Sequence, residues 1–400
     1  MQLSHLLKQN IAGKLFNHII VFLINILIVR ILGAGVSGYY FNELYAINFF
    51  AFLFSMGLDY SAIAWISREP QLLQTIRREL IKVALFLFAV FVFIYLFLLP
   101  NLSIKTTQPI IAVLLFGCGN ILLILFQGVL AAVKKFNQQN VILISTNLLF
   151  VAFLLFKLNS SVNIQELAIV YGVLFSTQGI LMLLSSFSKD YASIVTEINR
   201  KPFYKYGLSV MVSSLVYFIF LRVDNYFVER YCSSIELSNY VQCGKVGQYF
   251  IYFSSIISST MLPFITSENI GSSFSVWFKF IRPYLMLILA GAIVLAVAGS
   301  FLYPFVFGKD FSAMNNMMLI LLPGFVGLGI LTLVNAIYLG KGNIKAIFIG
   351  DFSGMLFVLI FDAIFIPKYG VMAAAIISSA AYLLLCCYLL FNLKKQFELS

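Results

Sequence analysis

Residues 206–228 read YGLSVMVSSLVYFIFLRVDNYFV, and residues 238–250 read SNYVQCGKVGQYF. The first stretch holds the apolar run Leu208–Phe227. A helix of about 20 residues is long enough to cross the roughly 30 Å hydrocarbon core of a bilayer. Yet Arg222 and Asp224 interrupt that run, and Lys245 lies inside the next one, Val241–Phe264. A charged side chain at the bilayer centre costs on the order of 2.5–3.5 kcal/mol on insertion scales. Residues bearing that cost face a cavity, a partner or the interface. An apolar run long enough to span, carrying a few charges with a purpose, is the pattern to follow outward along the chain.

The composition agrees with it. Of 400 residues, 62% are hydrophobic and 10% charged, with 42 phenylalanines and a mean hydropathy of +0.99. A typical soluble domain is roughly 25% charged. A soluble fold of this size leaves about a quarter of its chain's surface exposed, too much for so apolar a sequence to hide. Composition thus excludes a soluble enzyme, a disordered chain and a nucleic-acid binder, despite the net charge of +11. Five scattered cysteines, without a CxxC pair, and two histidines indicate neither a disulfide framework nor a metal site. Residues 1–10 are polar and no small-residue cleavage motif follows, so the first apolar run is expected to act as its own insertion signal.

Twelve runs have the length and composition of spans, from Leu15–Leu32 to Val371–Phe391. Connections between them are short. The longest, residues 188–207, divides the chain into an N-terminal six-helix lobe, 1–187, and a C-terminal six-helix lobe, 208–400. With the N-terminus inside, 18 of the 26 basic residues fall on cytoplasmic segments and seven on outer ones, with Lys245 within a span. That bias places both termini in the cytoplasm and requires an even number of spans.

The halves repeat. Gly119 precedes Gln127 by eight in the fourth span, and Gly327 precedes Asn335 by eight in the tenth, each followed by a short basic turn. The first span ends on IVRILG and the seventh on FLRVDN. An even number of spans per repeat relates the lobes by a pseudo-two-fold along the membrane normal, a layout of alternating-access transporters. Pro323 and Gly324, in LLPGFVGLG of the tenth span, mark a hinge or a static kink.

Helical spacing sorts the polar residues within the spans into stripes. Lys14, His18 and Asn25 form one in the first span; Tyr45, Asn48, Ser55 and Asp59 one in the second. Ser213, Tyr217 and Asp224 form one in the seventh; Lys245, Tyr249, Tyr252, Ser255 and Ser259 one in the eighth. These faces are expected to meet at the seam between lobes. Arg222, Lys245 and Arg30 make its outer half cationic, offset by Asp224, which suits an anionic substrate such as a pyrophosphate head group. Tyrosines and asparagines suit sugar hydroxyls. Asp224, Asp59, His18, Asp351 and Asp362 are candidates for cavity lining or ion coupling, the last two alternatively as buried hydrogen-bonded groups. The alternatives for the first set are plainer: snorkelling for Lys245 and Arg30, an interfacial pair for Arg222 and Asp224, a packed neutral imidazole for His18. No HExxH, GxSxG, P-loop or EF-hand spacing occurs, so no enzyme is expected, and no cofactor.

Three segments carry a family resemblance. Residues 28–40, IVRILGAGVSGYY, lead to residues 54–69, FSMGLDYSAIAWISRE, similar to an opening R-x-L-G-x-x-x-x-G-x-Y … G-L pattern. The central R-x-D is followed by Y-x-x-x-x-K, from Tyr240 to Lys245. Residues 366–384, IPKYGVMAAAIISSAAYLL, resemble P-x-x-G-x-x-G-A-A-x-A-x-x-x-x-Y. Over nearly its whole length the chain resembles polysaccharide exporters of the multidrug/oligosaccharidyl-lipid/polysaccharide (MOP) superfamily, of the O-antigen flippase (Wzx) type. It departs at Ser238–Asn239, where that family has Val-Gly. Likeness to the lipid II flippases is more distant, with His18 and Ile24 at positions that are cationic there.

The resemblance implies an all-α MATE-like membrane fold with a cationic cavity. It implies movement of an undecaprenyl-pyrophosphate-linked oligosaccharide from the cytoplasmic to the periplasmic leaflet of a bacterial inner membrane. Arg30, Arg222, Asp224 and Lys245 match its motifs. A polysaccharide polymerase and a chain-length regulator would be partners, with membrane lipid around the protein and no nucleic acid. Proton or sodium coupling is compatible with this but not required, because the membrane potential favours outward movement of an anion by about 2.3 kcal/mol per charge per 100 mV. The rivals are a multidrug cation exporter of the same superfamily, which would favour acidic cavity residues, and a membrane polymerase or glycosyltransferase, which would need larger external loops. A non-transporting scaffold would not need the polar stripes.

Overall fold

The computed structural model describes residues 2–98, 108–158, 163–187, 199–267, 270–340 and 344–398. Among them the chain is helical throughout, with no strand. The helices are α1 (Gln2–Leu32), α2 (Ala34–Ser55), α3 (Leu58–Arg68), α4 (Leu73–Phe93), α5 (Ile110–Ala132), α6 (Phe136–Lys157), α7 (Ile164–Ser185), α8 (Arg200–Phe220), α9 (Val223–Tyr231), α10 (Ser234–Ser267), α11 (Ile270–Phe307), α12 (Met314–Gly340) and α13 (Ile344–Glu398). Each of the twelve apolar runs falls on helix among the described residues. Among the described residues, nine helices are long and apolar enough to cross a membrane, or ten with the bent α2–α3 pair taken as one span. The protein is a multi-pass membrane protein. Residues 188–198 of the long connection and the side chain of Ser259 lie outside the described residues, as do the side chains of Lys8, Lys105, Lys189, Lys279, Lys341, Lys394 and Lys395.

Two of the spans that sequence periodicity treats as continuous are interrupted. α2 and α3 meet at 42° across Met56 and Gly57, both at positive φ (52° and 62°). Only glycine takes that conformation without strain. A Cβ on Gly57 would also overlap the Gly207 carbonyl oxygen. Ser61 Oγ donates to the Phe203 carbonyl at 2.9 Å and fastens the break to the first turns of α8. The seventh span breaks between α8 and α9 at Leu221–Arg222. α13 contains two apolar runs separated by a non-helical Gly370 (φ 64°, ψ −154°) behind Pro367. The helical phase linking Ser55 to Asp59, and Tyr217 to Asp224, is therefore reset, and each stripe ends at its break.

The chain forms two compact units. The first comprises Met1–Leu32 and Glu43–Leu215, the second Gly33–Asn42 and Val216–Ser400. In the first, α5 packs most extensively against α7, α1 against α6 and α3 against α5. The α5–α7 approach is backbone to backbone: a Cβ on Gly119 would overlap Ser176, and one on Gly179 would overlap the Gly119 carbonyl. Small residues admit such approaches, which matter in a membrane because lipid supplies no hydrophobic drive for helices to associate. Beneath lies an apolar core of Leu58, Ile66, Ile76, Leu80, Ile121, Leu125, Phe126 and Val129. In the second unit α10 and α13 both pack on α12, and α9 on α13. Large apolar side chains such as Phe156, Leu149, Val297 and Phe391 stay more than two-thirds exposed, as suits a lipid-facing surface.

Candidate substrate and ion site

The site grows from the break in the seventh span. Leu221 N–H still bonds the Tyr217 carbonyl at 3.1 Å, but Arg222 N–H reaches back only three residues, to Ile219. Arg222 then leaves helical geometry (φ −137°, ψ −12°), and α9 restarts behind it. The local sequence favours this. Asp and Asn side chains bond nearby backbone groups and compete with helix propagation. Asp224 does so here, accepting from the Asn225 amide on Oδ1 at 2.8 Å. In the first turn of α9 its carboxylate also suits the positive end of the helix dipole.

Asp224 is only 4% exposed and is held by three donors. Tyr240 OH, from α10, donates to Oδ2 at 2.6 Å, and Ser378 Oγ, from α13, donates to the same oxygen at 3.0 Å. Tyr240 and Ser378 stand 3.3 Å apart. Asp362, on α13 before the Gly370 break, is fully buried, and neither of its carboxyl oxygens has a hydrogen-bond partner among the described residues. It lies within electrostatic range of Asp224 and Tyr240. Asp351, 4% exposed, leaves Oδ1 without a hydrogen bond and acts electrostatically on Tyr217. Arg222, Asp224, Asn225, Tyr240, Gln248 and Tyr382 line a cavity of about 20 Å³. That is the size of one water. It has room for a small ion or a water.

The cationic pair has a different setting. Arg222 and Lys245 are half-buried and lie within electrostatic range of one another. The Lys245 ammonium covers the Phe41 ring, a cation–π contact worth about 0.5–2 kcal/mol. Tyr249 and Tyr252 continue the accessible face of α10, while Asn239, Gln242, Cys243, Val246 and Phe250 are buried on its other side. The first turns of α2 pack here too. Gly38 N–H donates to Ser238 Oγ at 2.7 Å, Ser238 Oγ donates to the Ala34 carbonyl, and Asn42 Nδ2 donates to Glu229. A Cβ on Gly38 would overlap Ser238. Ser238, the departure from the resembled family, thus supplies hydrogen bonds that valine would lack.

The remaining sequence candidates lie elsewhere. Arg30 is exposed at the last turn of α1 in the first unit, where a cation suits the helix dipole. His18 is half-buried on α1 and lies within electrostatic range of Lys14. Asp59 opens α3 with one carboxyl oxygen buried and without a hydrogen bond, against the α5 backbone at Gly128. Pro323 sits in a continuous α12, its side chain exposed, and Gly324 N–H donates to Ser379 Oγ at 3.2 Å. Among the described residues no group of three His, Cys, Asp or Glu stands close enough to hold a metal. Sequence reasoning left Tyr240, Ser378 and Tyr382 without roles. Tyr240 and Tyr382 stood out only as positions of the resembled motifs, and Ser378 only as polarity within an apolar run, in tandem with Ser379.

No protein-family model matches the chain, and no curated protein matches its sequence. Solved structures do match. The lipid II flippase MurJ, in an inward closed conformation, aligns with 96% of this chain and 87% of its own at a TM-score of 0.74 and 18% identity. The fold is that of the MOP superfamily. An inward-facing multidrug resistance MATE transporter of that superfamily covers 95% of this chain and 94% of its own at 0.71 and 11%. The Vibrio cholerae MATE transporter VcmN, in its bent form, covers 99% and 97% at 0.68 and 13%. At these identities the likeness establishes the MOP fold.

Proposed function

We propose that this protein is a flippase for an anionic, lipid-linked oligosaccharide. In this reading it moves an undecaprenyl-pyrophosphate-linked repeat unit, of O-antigen type, from the cytoplasmic to the periplasmic leaflet by alternating access. One observation carries the reading: Arg222 and Lys245, two like charges within electrostatic range, are both kept partly accessible inside apolar spans. Asp224 offsets part of the charge on Arg222, and an anion held by both cations would add to that and relieve their mutual repulsion. Guanidinium and ammonium together suit a pyrophosphate. Arg30 is the third cation of the proposal. The tyrosines of α10 would stack on sugars, and the lipid chain would stay in the bilayer.

The buried carboxylates take the second task. Asp224, which lines the ion-sized cavity, and Asp362, within electrostatic range of it, would bind a proton or sodium ion that couples to transport. Asp351, Asp59 and His18 are secondary candidates, and Pro323–Gly324 is the proposed bend point. The protein would act without a cofactor, in a bacterial inner membrane with both termini cytoplasmic, ahead of a polysaccharide polymerase and chain-length regulator. A second reading, export of organic cations, is favoured by the same carboxylates.

Reconstitution separates the two. Vesicles carrying the protein should translocate a fluorescent polyprenyl-pyrophosphate oligosaccharide and leave a cationic dye untouched. Dye efflux without lipid translocation would replace the first reading with the second.

A further inference from the structure

Ser378 and Ser379 are consecutive on α13, so their side chains leave the helix about 100° apart. They serve different neighbours. Ser378 Oγ bonds the Oδ2 of Asp224, on α9. Ser379 Oγ accepts from Gly324 N–H, on α12, one residue after Pro323. We propose that this pair of serines is a positioning device that links what Asp224 binds to the backbone of α12 at Pro323–Gly324. The inference rests on the ion-coupling part of the proposed function.

Two features give the link its physical content. The first is at Asp224. Its Oδ2 accepts two hydroxyls, from Tyr240 and Ser378. A proton or cation on that oxygen competes with both donors, and a hydroxyl facing a cation must turn its lone pairs toward it. Ser378 cannot keep its geometry through such a change. Arg222, Tyr240, Tyr382 and Asp362 are the charged or titratable groups that act on the same carboxylate.

The second feature is at Gly324. A Cβ there would lie 2.7 Å from Ser379 Cα and 3.1 Å from its carbonyl oxygen, so α12 and α13 touch backbone to backbone without slack. Close-packed contacts transmit displacement instead of absorbing it. Pro323 has no N–H to give the preceding turn, so α12 lacks one intrahelical bond just where Ser379 holds it. The hydrogen bond from Gly324 then ties α12 to α13 where its own backbone bonding is weakest.

Hydrogen exchange of the full-length protein in nanodiscs tests the link, read on peptides covering residues 320–328. Sodium replacing potassium, or a drop in pH, should change exchange there by about tenfold in the wild type, since exchange reads local opening free energy. In Ser379→Ala the change should shrink to under about twofold while the sodium-dependent thermal shift keeps its midpoint. Ser379→Thr, which retains the hydroxyl, should restore the response, and Ser378→Ala should weaken the sodium midpoint itself. A full-sized response in Ser379→Ala, or no response in the wild type to either cation or pH, overturns the inference. Failure of the wild type to translocate lipid-linked oligosaccharide while the α12 response persists would remove the substrate reading and leave this link standing.

Discussion

Each unit buries a polar cluster, and the two are built differently. In the first, Asn17, Asn147, Gln178 and Thr146 tie α1, α6 and α7 together. Asn147 Nδ2 donates to Asn17 at 2.9 Å, Gln178 Nε2 to Asn147 and Thr146 at 3.0 and 2.9 Å, and Thr146 to the Ile142 carbonyl at 2.7 Å. Every member is neutral. In the second, Arg222, Asp224, Asp351, Asp362 and Lys245 bring formal charge into apolar helices, and carboxyl oxygens of Asp351 and Asp362 go without hydrogen bonds. A neutral, bonded network rigidifies a bundle at little risk. Buried charge with unmet valence costs stability and persists where something is bound. This contrast is why the proposed function assigns substrate and ion binding to the second unit's cluster and only a packing role to the first unit's.

Mutation can break or sharpen that contrast. The largest effect is expected from charge removal. Arg222→Gln with Lys245→Gln should cut lipid translocation by about 100-fold or more, taking roughly 1.5–3 kcal/mol for each of two charged hydrogen bonds lost. Asn147→Leu, judged in the same vesicles, should leave the rate within about twofold because no charge changes. Equal losses in both would erase the distinction.

Next in size is packing in the first unit. Gly119→Val forces a side chain into the α7 backbone at Ser176 and should cost about 3 kcal/mol, at the upper end of overpacking effects. Thermal unfolding in detergent reads it, and an unchanged melting temperature would mean that α5 and α7 are farther apart than described. A smaller loss, about 1–3 kcal/mol, is expected for Gln178→Leu, which leaves Asn147 and Thr146 without their donor. The same melt checks it.

The smallest stability change belongs to Asp362→Asn. Neither Asp362 oxygen accepts a hydrogen bond among the described residues, so neutralising the carboxyl removes a desolvation cost and should hold stability within about 1 kcal/mol of wild type or raise it. Cation dependence of transport should vanish nonetheless. A large destabilisation with cation dependence retained would make Asp362 a structural residue like Gln178.

Much of this was legible in the chain. Twelve apolar runs foretold the helices, and Arg222, Asp224 and Lys245 stood out because charge in lipid is costly at any position. The breaks were harder to read. Met56–Gly57 and Leu221–Arg222 lie inside runs that remain apolar on both sides, so periodicity carried the stripes straight through them. Tyr240 and Ser378 could not be assigned at all. They stand 138 residues apart and become partners only at Asp224. Arg30 shares its residue type with Arg222, but it and His18 belong to the first unit, a division of the chain that local sequence does not show.

The sequence by itself determined the solvent, the helices and the presence of charges that lipid would exclude. These follow from transfer free energies, which depend on composition along a short window. Tertiary structure decided which charges share a site, where helices break and which serine holds which backbone. It also decided that the first turns of α2 pack in the second unit and most of α8 in the first. Those outcomes depend on close packing between segments far apart in the chain, and no local pattern encodes them.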